Sequence, residues 1–355
     1  MKVLRRLFLF SALTIVSLLA LVLWMAGGVQ GPRPMSGQIQ TLPETPHQAA
    51  NHSDPRVVRV VSWNIAWAYG WGSEGSGEAK PAPHFGRNLD AMGRVLASLK
   101  PDFVLLQEVD FDSARSHGTQ QAVRLAQQCG LRHVATFESW RANYVPFPYW
   151  PPSNHFGRVR SGGAILSRFP LQTNEGELLP KPTKNPWWYN LFYLFRYVHH
   201  VEAQHPLGPI TLANAHLEAF DAANRLNQAS RAREILDALG SNALIFGGDM
   251  NSVPPESPTK HDYPDEPQTD HRSDETVEVL RSTKAVDDTL PPQTMTATPS
   301  AWFTFPAHAP NRKLDYIFAS DRFEVVSTKV VSEINDASDH LPVVVELRFK
   351  STPES

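Results

Sequence analysis

The chain has 355 residues, 33 Lys and Arg against 36 Asp and Glu, and a formal net charge of −3, with 41% hydrophobic and 19% charged residues. That balance excludes a disordered chain, leaves room for one large or two average domains with a sizeable core, and speaks against a strongly basic nucleic-acid binder. The single cysteine, Cys129, excludes an internal disulfide.

At the N-terminus Lys2, Arg5 and Arg6 precede an uncharged apolar run from Leu7 to Ala26. Such a run is long for a signal-peptide core and long enough to cross a bilayer as a helix. Residues 1–28 are therefore read as a membrane anchor or an uncleaved signal, although Ala26-Gly27-Gly28 also permits cleavage. Basic residues before the run and none just after predict an extracytoplasmic, periplasmic location for the rest. Beyond residue 28 the chain holds 30 basic and 36 acidic residues, a net charge of −6.

Residues 29–55, rich in Pro, Gly, Gln and His and without apolar period, predict a flexible tether. From Arg56 the signal changes. Val57 to Asn64 predicts a strand, Tyr69 to Pro83 a loop, Phe85 to Lys100 a helix, and Phe103 to Leu106 a second buried strand. A helix over Thr119 to Gly130 follows, then strands at His133 to Phe137, Gly163 to Ser167 and Ile210 to Ala215. Ala222 to Leu239 predicts a long helix stopped by Gly240, and Ala243 to Phe246 a strand leading into Gly247-Gly248-Asp249. Ser252 to Asp274 is a polar, Pro-rich excursion, and Glu275 to Lys284 a helix. Leu314 to Ala319, Phe323 to Ser332 and Pro342 to Phe349 are closing strands. Helices and strands alternate without internal repeat, which predicts one α/β domain over residues 56–350.

Polar residues at the ends of these apolar runs carry the chemistry. Trp63-Asn64, Gln107-Glu108, Asn214-Ala215-His216-Leu217, Gly248-Asp249-Met250-Asn251, Leu314-Asp315-Tyr316-Ile317 and Ser338-Asp339-His340 each bring a carboxylate, imidazole or amide to a strand end. Singly, each has a plain structural explanation: a satisfied core histidine, or a turn in which Asp and Asn bond their own backbone. Together they suit hydrolysis of a phosphate ester, which needs a cation on the phosphoryl oxygens, a base on the attacking water and help for the leaving oxygen. Glu108 is the natural ligand for Mg²⁺ or Mn²⁺, with Asn64 as a neutral oxygen ligand or its supporting partner, and Asp339 facing the metal. His340 is the expected general base, with Asp315 on its second nitrogen. Asp249 orients the nucleophile, Asn251 contacts the phosphate, and His216 donates to the phosphoryl oxygens. The absence of a Cys cluster or a His-x-x-x-His motif disfavours zinc.

This ordered set resembles the endonuclease/exonuclease/phosphatase superfamily, which includes DNase I-like nucleases, neutral sphingomyelinases and inositol polyphosphate 5-phosphatases. The resemblance runs from about Val57 to Leu347. It implies a four-layer α/β sandwich, two packed mostly antiparallel sheets with outer helices, here preceded by one transmembrane helix. It also implies the same roles for Glu108, Asn64, Asp249, Asn251, His216, His340, Asp315 and Asp339. One further phosphate-side position does not transfer to a single residue, and Tyr144, His155, Arg158 and Arg160 compete for it.

Arg141 to His200 is the least generic stretch, with seven basic residues against Glu175 and Glu177 and two aromatic runs, Tyr144 to Trp150 and Trp187 to Phe195. The second run reads either as a hairpin or strand folded onto the sheet with its Trp residues in the core, or as an exposed platform. As a platform it would enter a membrane interface or stack on bases. The expected partner is thus a phosphate ester, lipid headgroup or nucleic acid, together with a membrane met through the N-terminal helix and Trp187–Phe195. An exported DNase I-like nuclease and a non-catalytic binding protein are the alternatives.

Overall fold

Continuous apolar runs mark the central strands, because both of their faces are covered. The computed structural model describes residues 1–28, 30–44, 54–71, 77–240, 242–334 and 336–351. In chain order α1 (Lys2–Met25) precedes two short strands, β1 (Arg33–Ser36) and β2 (Gln38–Thr41). Next come β3 (Val57–Asn64), α2 (Ala82–Leu99), β4 (Phe103–Asp110), α3 (Gln121–Cys129) and a long hairpin of β5 (His133–Val145) and β6 (Gly157–Ser167). The second half holds β7 (Leu171–Leu178), α4 (Trp187–Phe192), β8 (Tyr197–Ala203), β9 (Ile210–His216), α5 (Ala222–Leu239) and β10 (Leu244–Asp249). It closes with α6 (Thr276–Arg281), β11 (Asp287–Asp288), α7 (Pro292–Ala297), β12 (Asp315–Ala319), β13 (Phe323–Val330) and β14 (Val343–Phe349).

Two seven-stranded sheets result, ordered β1-β7-β8-β9-β10-β12-β11 and β13-β14-β3-β4-β6-β5-β2. Val58, Val60, Leu105, Ile165, Leu212 and Ile245 fill the space between them. Leu89, Leu96 and Leu125 seat α2 and α3 on the outside of one sheet. Ala232, Leu236, Val277 and Leu280 seat α5 and α6 on the outside of the other. Helix, sheet, sheet, helix makes the expected four-layer sandwich.

Each sheet contains one parallel pair among its described strands, β3 with β4 and β9 with β10, and every other pairing is antiparallel. The two parallel pairs end at the same edge of the sandwich. There Gln107 Nε2 donates to Asn214 Oδ1 at 2.7 Å and Asn64 Nδ2 to Asp249 Oδ2 at 2.9 Å, so buried amides join sheet to sheet. Register does the rest: Asp249 lies opposite His216 on one side and Asp315 on the other.

The tether reading of residues 29–55 needs correction where those residues are described; 29 and 45–53 lie outside the described residues. β1 pairs with β7 and β2 with β5, one in each sheet. Met35 packs against the small cluster of Phe137, Leu178, Phe195 and Tyr197, and Leu42 is buried. Gly37 between the strands leaves no room for a Cβ, which would meet Asn174 Nδ2 at 2.3 Å and Thr136 O at 2.4 Å. Both strands are short edge strands with mostly exposed side chains, so their sequence lacks an apolar period. The sheets therefore begin at Arg33, not at residue 56. Of the two readings of the aromatic run, the core strand is also corrected: residues 187–192 form a short helix with Trp187 and Trp188 exposed. β7 and β8 were not anticipated, because Gln172-Thr173-Asn174-Glu175 and His199-His200 interrupt their apolar pattern.

Gly248 carries a constraint that only glycine meets. Its φ is +147°, and a Cβ there would lie 1.9 Å from the carbonyl oxygen of Ala215 on the parallel neighbour. Gly248→Ala is expected to lower unfolding free energy by about 3 kcal/mol or more, combining overpacking with backbone strain. Denaturant unfolding monitored by circular dichroism measures it.

Candidate active site

Glu108 follows the last regular residues of β4 at a β-bulge, where the pairing with β6 shifts register between Leu106 and Val109. Its φ is +52°, a left-handed conformation rare outside glycine, and the bulge re-aims its half-buried carboxylate at the sandwich edge. Asn64 ends β3 beside it and bridges carboxylates: Nδ2 donates to Glu108 Oε1 at 3.3 Å and to Asp249 Oδ2 at 2.9 Å. Its Oδ1 accepts from Ala66 N at 3.0 Å. Of the two expectations for Asn64, supporting partner fits this geometry better than oxygen ligand.

Asp249 divides its two oxygens between structure and site. Oδ1 accepts the backbone N–H of Asn251 at 2.9 Å, the turn that its sequence also suggested. Oδ2 faces Asn64, His216 Nε2 at 3.4 Å and His340 Nε2 at 3.7 Å. Asn251, itself at φ +50°, is held by its Nδ2 donating to Leu217 O at 3.0 Å.

His340 sits on the loop before β14. Ser338 Oγ donates to Asn64 O at 2.7 Å, and Trp63 Nε1 donates to His340 O at 2.8 Å, which fix the loop against β3. The Phe305 ring packs against the imidazole with centroids 4.7 Å apart. His340 Nδ1 lies 2.9 Å from Asp315 Oδ2, so the ring donates to that carboxylate and turns Nε2 toward Asp249. This is the predicted dyad.

Crowded carboxylates set the electrostatics. Burial pushes the Asp249 carboxyl up to about 7; Asp315 adds to the rise and His340 opposes it. Burial likewise raises Asp339 to about 6, opposed by His340 and helped by Glu108. For His340 burial alone would lower the imidazole, but Asp315, Asp249 and Asp339 outweigh it and raise it to about 10. Asp339 Oδ1 and Asp315 Oδ1 are buried without a hydrogen-bond partner. Ligand atoms of Asp249, Asp315 and His340 all lie within 4.8 Å of one another. Oxygen-rich, negatively charged and incompletely satisfied, the cluster suits a hard divalent cation.

Two residues at this site escaped the sequence reading. Arg196, just before β8, is buried and donates through Nη1 to His216 Nε2, which lies across the pairing of Tyr197 with His216. Its Nε is 3.9 Å from Glu218 Oε2, and Glu218 Oε1 accepts from Tyr193 OH at 2.7 Å. Burial, then Arg196 and His340, hold the His216 imidazole well below its usual range. His216 is therefore neutral and its Nε2 accepts, so the donor expected there is the guanidinium instead. Glu218, two residues after His216 in an otherwise apolar segment, was the available signal; Arg196 was visible only as one of seven basic residues.

The four competing phosphate-side candidates lie on the β5–β6 hairpin with partners of their own. Tyr144 OH is 2.7 Å from His155 Nδ1, Arg158 is 2.8 Å from Asp112, and Arg160 is 3.2 Å from Glu138. Among the described residues none of the four is hydrogen-bonded or ion-paired to Glu108, Asp249, His216 or His340.

The profile of the Endonuclease/Exonuclease/phosphatase family matches residues 61–340. No curated protein matches the chain. Among solved structures, an endonuclease/exonuclease/phosphatase from Beutenbergia cavernae is 25% identical, with 84% of this chain and 73% of that one covered and a TM-score of 0.60. The catalytic domain of human Nocturnin, with bound sulfate, is 19% identical over 88% of this chain and 98% of that one, with a TM-score of 0.54. ANGEL2, described as a 2′,3′-cyclic phosphatase, is 14% identical over 88% and 98%, also with a TM-score of 0.54.

Raised carboxyls bind protons more tightly folded than unfolded. Without a cation, the stability that Asp249 and Asp339 add is full below their ordinary range and is lost as pH rises through about 7 and about 6. A divalent cation must displace those protons, so the Mn²⁺-induced rise in melting temperature is expected to be larger at about pH 8 than at about pH 5. Differential scanning calorimetry with and without Mn²⁺ checks the sign. In Arg196→Gln, the His216 titration followed by NMR is expected to move upward, because a neighbouring cation is gone.

Proposed function

Because the chain belongs to the endonuclease/exonuclease/phosphatase family, we propose that it is a membrane-tethered, extracytoplasmic, divalent-metal-dependent phosphoesterase that cleaves lipid-headgroup phosphate esters. The observation that carries this reading is one edge of the sandwich holding the His340–Asp315 dyad and the carboxylates of Glu108, Asp249 and Asp339 together. Mg²⁺ or Mn²⁺ held by Glu108 and Asp339 would neutralise charge developing on the phosphoryl and leaving oxygens. Asp249 Oδ2 orients the attacking water. Once a bound cation offsets the carboxylate charge that otherwise keeps His340 protonated, Nε2 of His340 can take the water proton while Asp315 holds Nδ1 and steadies the imidazolium. The new phosphorus–oxygen bond replaces the bond to the leaving oxygen, which departs as an oxyanion and takes a proton from solvent, while His340 returns its own proton to solvent. Arg196 adds fixed positive charge beside His216.

Tethering is supported by α1, whose 24 residues reach a mean hydropathy of 2.5 in their most apolar window and bury nothing in that window. The lipid reading over nucleic acid is supported by the state of the basic stretch. Arg141, Arg158, Arg160, Arg168, Lys184 and Arg196 are each within 4.0 Å of a carboxylate oxygen. Lys181 is largely buried, donates to Asn190 O, and is pushed down to about 7 by burial. Little of the local charge is left open to neutralise a run of phosphates.

The test is hydrolysis of bis(p-nitrophenyl) phosphate by the full chain with Mg²⁺ or Mn²⁺. His340→Ala is expected to lower kcat by about 10²–10⁴-fold with unchanged melting temperature, and chelation to abolish turnover. A His340→Ala protein as active as the parent refutes the assignment.

A further inference from the structure

Apart from α1, exposed aromatic side chains gather on two neighbouring segments. Phe147, Tyr149 and Trp150 stand exposed on the β5–β6 connection, and Trp187, Trp188 and Tyr189 on α4. Phe220, just beyond β9, is 82% exposed, Trp150 81% and Trp187 68%. Soluble surfaces rarely leave so many large apolar groups open near one another.

These groups form one rim. Trp140 of β5 donates its Nε1–H to Phe192 O at 2.9 Å, which ties the hairpin to α4. The Tyr149 hydroxyl is near enough to Tyr189 to bear on its ionisation. Tyr189, Tyr193 and Phe220 line a common cavity of about 720 Å³. From that cavity Tyr193, Glu218 and Arg196 lead by successive contacts to His216.

The end of α1 lies beside this rim. Asn143 Nδ2 donates to Trp24 O at 2.8 Å, Gln30 Nε2 donates to Arg141 O at 3.2 Å, and Ala26 is buried. Gln30 shares a crevice with Asn190 and Leu191 at the end of α4. A helix rising ~1.5 Å per residue from Leu7 uses the thickness of a hydrocarbon core by about Trp24. Exposed Trp24 then stands where tryptophan favours a membrane, at the headgroup boundary. Arg141, Asn143 and the crevice against α4 share that height.

We infer that Phe147–Trp150, Trp187–Tyr189 and Phe220 form a second membrane contact, seated in the headgroup layer of the bilayer that α1 crosses. The cavity lined by Tyr189, Tyr193 and Phe220 is then the place where a lipid headgroup substrate enters from the membrane. Only this last step rests on the phosphoesterase reading. Exposed Trp and Tyr side chains suit that layer, and the helix that crosses it names the occupant.

The experiment uses the full chain in nanodiscs of phosphatidylcholine containing phosphatidylglycerol. Cys129 is buried and its thiol pushed up to about 12 by burial, so it stays unlabelled. An environment-sensitive nitrobenzoxadiazole label is placed at Trp150→Cys, Trp187→Cys and, as control on β13 at the opposite edge of the sheet that holds β5 and β6, Glu324→Cys. Labels at 150 and 187 are expected to shift to the blue and to be quenched severalfold by lipids carrying a nitroxide near the headgroup, while the label at 324 is not. Labels at 150 and 187 that behave like the one at 324 overturn the proposal. So does protection by single-stranded DNA in place of quenching by lipid, which would make the rim a base-stacking wall. Turnover of the soluble diester is read on the same discs. Quenching without turnover removes the phosphoesterase reading and leaves the membrane contact standing.

Discussion

Carboxylates crowded into a nearly waterless corner are the constraint on which this protein turns. Asp249 and Asp315 are buried around one imidazole, with Asp339 and Glu108 half-buried beside them. Among the described residues, His340, His216, Lys313 and, one residue removed, Arg196 stand against them. Burying like charges is unfavourable unless a countercharge is present. The buried Lys313 ammonium donates to the backbone carbonyl of Asp315, yet Oδ1 of Asp315 and of Asp339 stay without a hydrogen-bond partner. A corner left with unpaired carboxylate oxygens suits a small, hard, doubly charged ligand.

Holding such a corner together demands rigidity from the scaffold. Each sheet contributes a parallel strand pair whose ends carry the acidic residues, and buried amides of Asn64, Gln107 and Asn214 cross between the sheets at that edge. The left-handed conformations of Glu108 and Asn251 and the close approach of the Ala215 carbonyl to Gly248 are local strains that the surrounding hydrogen bonds over-determine. Asp249 shows the economy of the design, with one oxygen committed to its own turn and the other to the reacting centre.

Much of this was legible before any coordinates. Strands ending in Asn64, Asp249 and His216 were marked by apolar runs, and the four-layer arrangement and the His340–Asp315 pairing followed from resemblance. What stayed hidden was long-range or lacked a period. Arg196 meets His216 only because β8 and β9 pair in a particular register, which no local pattern encodes. The edge strands at 33–36 and 38–41 expose most of their side chains and so look like linker. Asn64 lies beside Glu108 and Asp249, and which of its two amide atoms faces the carboxylates depends on the Ala66 N–H, a contact set by the fold of the following turn. Net charge over residues 141–200 suggested an open basic surface, and pairing with acids from elsewhere in the chain removed it.

The two strands that follow α1 have a consequence for how the protein searches. Only seven residues separate Met25 from Arg33, after which the chain is locked into both sheets. At ~3.5 Å per residue that is a lead of at most about 25 Å. On a bilayer, such a lead confines the domain to a thin layer above one leaflet. For a substrate held in that bilayer, encounter would be by lateral diffusion in two dimensions, and mole fraction in the membrane, not concentration in bulk solution, would govern how often the site is filled.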